Sequence, residues 1–105
     1  MQWEATVFRH VVMFKLVEST TPEQKETLLA GLSRLPGQIS QIRSFSVGLD
    51  ARVAEGNFDV VVIVDFDSAD DYLAYAAHPA HREFVSDCVL PVLATRAAVQ
   101  YAFDR

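Results

Sequence analysis

Residues Val60 to Val64 form an unbroken run of β-branched apolar side chains, and no other feature of the chain constrains its fold as strongly. Successive side chains of a strand point to opposite faces, so Val60, Val62 and Val64 serve one face and Val61 and Ile63 the other. An earlier strand, Phe8 to Leu16, has the same two-sided character. Phe8, His10, Val12, Phe14 and Leu16 line one of its faces, while Arg9, Val11, Met13 and Lys15 line the other. A strand that is apolar on both sides has to be covered on both sides.

The segments around these strands set the topology. Thr21, Pro22 and Gln24 make a capping box with proline at the first helical position. Leu28, Leu29, Leu32 and Leu35 follow at helical spacing, and Pro36-Gly37 is expected to stop the helix. A second strand is predicted over Ile42 to Leu49, with Phe45, Val47 and Leu49 on one face and Ser44, Ser46 and Gly48 on the other. The polar stretch Asp50 to Asn57 is a hairpin loop leading into a third strand, Asp59 to Phe66. Ser68 and Asp71 open a helix that runs to about Ala77, where His78-Pro79 breaks it, because the residue before proline is driven out of the α region. A second helical segment then reaches about Val89, Pro91 ends it, and Arg96 to Phe103 is the last strand.

The order β-α-β-β-α-β is that of a ferredoxin-like α+β fold, an antiparallel four-stranded sheet with its helices on one face. One helical layer would leave the other face bare and apolar, which soluble monomers avoid, so a homodimer closed sheet against sheet is expected. The alternative is a second face that is only partly apolar and stays open.

With 105 residues the chain is expected to be one domain over its whole length. Its net charge of −5 and the lack of any Lys/Arg stripe argue against nucleic acid or an anionic membrane as partner. Cys88 is the single cysteine, so no internal disulfide is available. Glu4, Arg9, His10 and Lys15 interrupt the start before a leader-like apolar core can form, and no stretch approaches the roughly 18 apolar residues of a membrane span. The expected compartment is the cytoplasm.

The residues most able to carry chemistry lie in Tyr75-Ala-Ala-His78-Pro-Ala-His81. His81 falls in the first turn of the segment after Pro79, where unpaired amides and the positive dipole end disfavour an imidazolium and suit a general base. On spacing alone, His78 and His81 are more simply read as satisfying backbone groups at a helix break. His10 shares its strand face with apolar side chains and so points inward. Tyr75 can present its hydroxyl toward the same space, whereas Tyr72 is a packing residue. His78-x-x-His81 is a poor metal pair with proline between the histidines. Asp65, Asp67, Asp70 and Asp71 fit a strand end and a helix start better than a cation site. No Gly-rich phosphate loop, G-x-S-x-G or C-x-x-C occurs, and Cys88 has no basic neighbour to activate it. No cofactor is expected.

Taken together, His10-Val-Val-Met-Phe-Lys15, Phe45-Ser-Val-Gly48, Phe58 to Phe66, and Tyr75 to His81 followed by Phe84 resemble the stress-responsive A/B barrel (Dabb) family of dimeric α/β-barrel proteins. The resemblance runs from Phe8 to Tyr101 and implies the ferredoxin-like fold and a sheet-to-sheet homodimer. Within the family the site resembles that of a plant enzyme, olivetolic acid cyclase, which closes a linear poly-β-ketoacyl chain by intramolecular aldol condensation. That likeness implies His81 as catalytic base, Tyr75 as its supporting hydroxyl, His10 as a further pocket histidine, and a small hydrophobic carbonyl ligand. Two other functions are compatible with the same fold: a non-catalytic stress-response or ligand-binding dimer, and a cofactor-free monooxygenase.

Overall fold

A computed structural model of the chain describes residues 6–105; Glu4 lies outside them. Its elements are β1 (Thr6–Leu16), α1 (Pro22–Gln38), β2 (Ser44–Leu49), β3 (Val60–Phe66), α2 (Ala69–Ala77), α3 (Pro79–Phe84) and β4 (Leu93–Asp104). A π-helical turn, Val85–Val89, joins α3 to the approach to β4. The sheet runs β2-β3-β1-β4 with every neighbouring pair antiparallel, the expected ferredoxin-like α+β arrangement.

Strand register sorts the side chains into layers. His10, Val12 and Phe14 of β1 lie opposite Val64, Val62 and Val60 of β3, and these share one face with Phe45 and Val47 of β2. The helices pack on that face. Leu28, Leu32 and Leu35 of α1, Tyr75 of α2, Phe84 of α3 and Val89 bury against Val12, Phe14, Val60, Val62, Val64 and Phe66. On the other face Val11 pairs with Ile63 and Val99, and Met13 with Val61 and Ala97. No helix of the described chain covers this side, and Val99 and Tyr101 stay 57% and 45% exposed.

Several boundaries differ from the sequence expectation. Helix α1 runs through Pro36 to Gln38 instead of stopping there. Proline's fixed φ suits a helix, Pro36 lies on the solvent side of the last turn, and the Ile39 N–H closes the end on the Leu35 carbonyl at 3.0 Å. The capping box forms as expected, Thr21 Oγ1 accepting from the Gln24 N–H and Gln24 Oε1 accepting from the Thr21 N–H. Strand β2 is shorter than expected and β3 starts at Val60, while β4 extends from Leu93 to Asp104 because it pairs with the whole of β1. The helical segment after Pro79 is α3 followed by the π turn, not one continuous α-helix. In the β2–β3 loop, Gly56 takes φ +84°, a left-handed conformation open to glycine at no steric cost. No helix among the described residues is long and apolar enough to cross a membrane.

Candidate functional site

Pro79 creates the site. It prevents α2 from continuing, so His78 adopts an extended conformation (φ −64°, ψ 137°) and caps the next helix, its Nδ1 accepting from the Ala80 N–H at 3.0 Å. The chain thereby turns α3 back toward α2. His81 comes to lie against Tyr75 with ring centroids 4.5 Å apart. Beneath them, His10 projects from the middle of β1, its ring 6.4 Å from that of Tyr75. His10, Tyr75 and His81 are three residues from three elements, and all line one cavity of about 130 Å³ between sheet and helices. Its other walls are mostly apolar, including Val12, Phe14, Leu32, Val62 and Phe84. At the ~30 Å³ that a water occupies in the liquid, that space takes about four waters or one short organic molecule.

Hydrogen bonds fix which ring nitrogens carry protons. The Ala76 carbonyl can only accept, so His81 Nδ1–H donates to it at 3.2 Å and Nε2 keeps the lone pair. Gln100 Nε2–H donates to His10 Nδ1 at 2.8 Å, which assigns the His10 proton to Nε2. Burial holds both rings neutral. It pushes the His10 pKa down to about 4, helped by the charge of Arg96 and by the neighbouring His81, which disfavours a second proton beside it. His81 is also lowered, by burial first and by Arg96 and His78, against the opposing Ala76 hydrogen bond. The lowering at His81 is the direction expected from sequence, but its main cause is desolvation and not the helix end. Tyr75 is pushed up to about 12 by burial, so its phenol remains a proton donor throughout the neutral range. The cavity thus offers a neutral imidazole with a free lone pair, a phenolic O–H and a second neutral imidazole around an apolar volume, a set suited to moving a proton on a carbonyl compound.

Other residues either join the site from neighbouring elements or are occupied elsewhere. Tyr72 packs against the core as expected, and its ring lies closer to His10 than that of Tyr75, with centroids 4.9 Å apart. Gln100 and Arg96 both join the site from β4 without any local motif, because only the β1–β4 register sets Gln100 opposite His10 and Arg96 opposite Phe14. The aspartates have other occupations. Asp65 takes a bidentate pair from Arg9 (2.8 and 2.9 Å) and a hydrogen bond from Ser44, and Asp67 is held by Arg43. Asp70 and Asp71 sit in the first turn of α2. Cys88 is buried, and burial raises its thiol pKa, which leaves it a poor nucleophile.

An antiparallel sheet with helices on one face and a histidine-lined cavity between the layers makes this a ferredoxin-like α+β protein with a pocket of small-molecule size. The stress responsive A/B barrel domain matches residues 8–103, and the chain belongs to that family. A stress-response A/B barrel domain-containing protein of Arabidopsis thaliana, At5g22580, is 32% identical over 80 residues, 73% of this chain and 69% of its own length. A dimeric ferredoxin-like protein of unknown function from Thermobifida fusca superposes with a TM-score of 0.85 at 35% identity, covering 98% of this chain and 96% of the other. A hydroxynitrile lyase from Passiflora edulis superposes with a TM-score of 0.82, covering 92% and 93%; at 18% identity this is a likeness of fold alone.

Proposed function

We propose that the chain is one domain working as a homodimer in the cytoplasm, and that each subunit's cavity takes a small, mostly apolar carbonyl compound for cofactor-free proton-transfer chemistry of the intramolecular aldol type. His81 removes a proton flanked by two carbonyls through Nε2, Tyr75 donates a hydrogen bond to the developing enolate oxygen, and His10 orients the group beside it. The observation that carries this reading is the convergence of His10, Tyr75 and His81 on one apolar cavity with both imidazoles neutral. The cavity volume favours a short substrate over a long poly-β-ketoacyl chain.

Its test is exchange of the C2 protons of methyl 3-oxohexanoate into deuterated water, followed by NMR. The wild type accelerates exchange over buffer, and His81→Gln loses roughly 10²–10⁴-fold of that acceleration. Exchange no faster than buffer, with binding intact, would favour a non-catalytic ligand-binding dimer instead.

The homodimer rests on the uncovered sheet face, where Val11, Met13, Val61, Ile63, Val99 and Tyr101 lie side by side. A two-fold partner is the simplest cover for such a face. The Thermobifida fusca protein is itself described as dimeric. Sedimentation of a stable lone subunit at micromolar concentration would remove this part of the reading.

A further inference from the structure

The geometry assigns Arg96 as an anion-holding residue of the cavity, so that the carbonyl compound of the preceding section carries a carboxylate. The inference rests on that reading and narrows it. Arg96 stands on β4 opposite Phe14, which turns it to the helix-facing side, and it lines the cavity together with His10, Tyr75 and His81. The lining contains no Asp or Glu. Among the described residues no carboxylate lies within ion-pair distance of Arg96; Arg34, Arg82 and Arg105 are likewise unpaired, but Arg96, exposed at the cavity's edge, is the arginine that lines it. A guanidinium recognises carboxylates through two parallel N–H donors.

Apolar walls, two neutral imidazoles, a phenol and one uncompensated cation match an apolar ligand with a single anionic end. A ligand lacking that end leaves the guanidinium to water alone. The chain's net charge of −5 gives anions no general attraction, so the selection is local to this residue. The same charge acts on both site histidines and on Tyr75, which agrees with its nearness to all three. A β-diketone with a terminal carboxylate would set that carboxylate against Arg96 and the C–H between its two ketones toward His81.

The test is calorimetric titration of the full chain with hexanoate and with hexanamide, which share a chain length and differ in charge. The wild type is expected to bind hexanoate roughly tenfold tighter, the worth of one charge-assisted hydrogen bond at a partly solvated rim. Arg96→Gln abolishes the preference, bringing hexanoate to the affinity of hexanamide, and Arg96→Lys keeps a preference for hexanoate. Equal binding of both by the wild type, or a preference that survives in Arg96→Gln, overturns the assignment and leaves the pocket reading standing. Binding of neither ligand by the wild type overturns both.

Discussion

His81 Nδ1–H donates a hydrogen bond to the Ala76 carbonyl at 3.2 Å, and Ala76 belongs to the helix that ends just before Pro79. The helix break therefore supplies both the turn that brings His81 back and the acceptor that selects its tautomer. A base of this kind works only while Nε2 is free. Since burial sets the His81 pKa below 6.5, proton exchange of a β-keto ester should be flat around pH 7 and above, and should fall as pH drops through a midpoint under 6.5. A pH–rate profile whose acid limb lies above 7 would contradict the assignment.

His10 makes stability depend on pH in a window of its own. Its pKa falls from 6.5 unfolded to about 4 folded, so between those values the unfolded chain binds more protons. Stability then rises with pH across this window, is complete above 6.5, and is lost as pH falls toward 4. One such group contributes at most about 1.4 kcal/mol per pH unit. His81 adds a slope of the same sign, so His10→Leu should flatten the curve in part. Urea midpoints at pH 7.5, 5.5 and 4.5 measure this, and identical slopes for His10→Leu and wild type would refute it.

The β-α-β-β-α-β order was legible because each element carries a local signal: a capping box at Thr21, an N-cap at Ser68, the break at His78-Pro79, and the two-sided run Val60 to Val64. Tyr75, His81 and His10 stood out as residue types in informative places. What stayed hidden depends on register across distant strands. Gln100 and Arg96 have no neighbours in sequence that mark them, and β4 reads weakly because alanines at 97, 98 and 102 blur its alternation. The close approach of Tyr72 to His10 is likewise a product of how α2 lies on the sheet.

Sequence marks Asp65 as a strand-end acid; in the fold it is 2% exposed and paired with Arg9 on the helix-free face. Arg9's hydrogen bonds hold its carboxyl below the ordinary carboxylate range, with Ser44 assisting. Asp65→Asn keeps the shape and removes the charge, and it should cost about 1–3 kcal/mol at pH 7, because Arg9 is partly solvated and can recover some hydration. A lowered acid stabilises above its unfolded pKa of 3.8 and ceases to as pH falls through the folded value, so the gap between variant and wild type should narrow below about pH 4. Equal denaturation midpoints at pH 7 would show that the pair contributes nothing net.

Gly31 in α1 tests how tightly the cavity wall is held. An added Cβ there would meet the Phe84 ring at 2.7 and 2.8 Å and Cys88 Sγ at 3.1 Å. In an exposed helix, alanine for glycine would gain about 1 kcal/mol. Here Phe84 is itself buried, so the ring has little room to retreat except into the cavity it lines. Overpacking of this kind costs about 1–3 kcal/mol and outweighs the helical gain. Gly31→Ala should therefore lower the melting temperature by roughly 4–8 °C for each kcal/mol lost. It should also weaken ligand binding, as Phe84 is pushed toward the space between Tyr75 and His81. A variant as stable as wild type with unchanged hexanamide affinity would mean that the α1–α3 contact is looser than these distances imply.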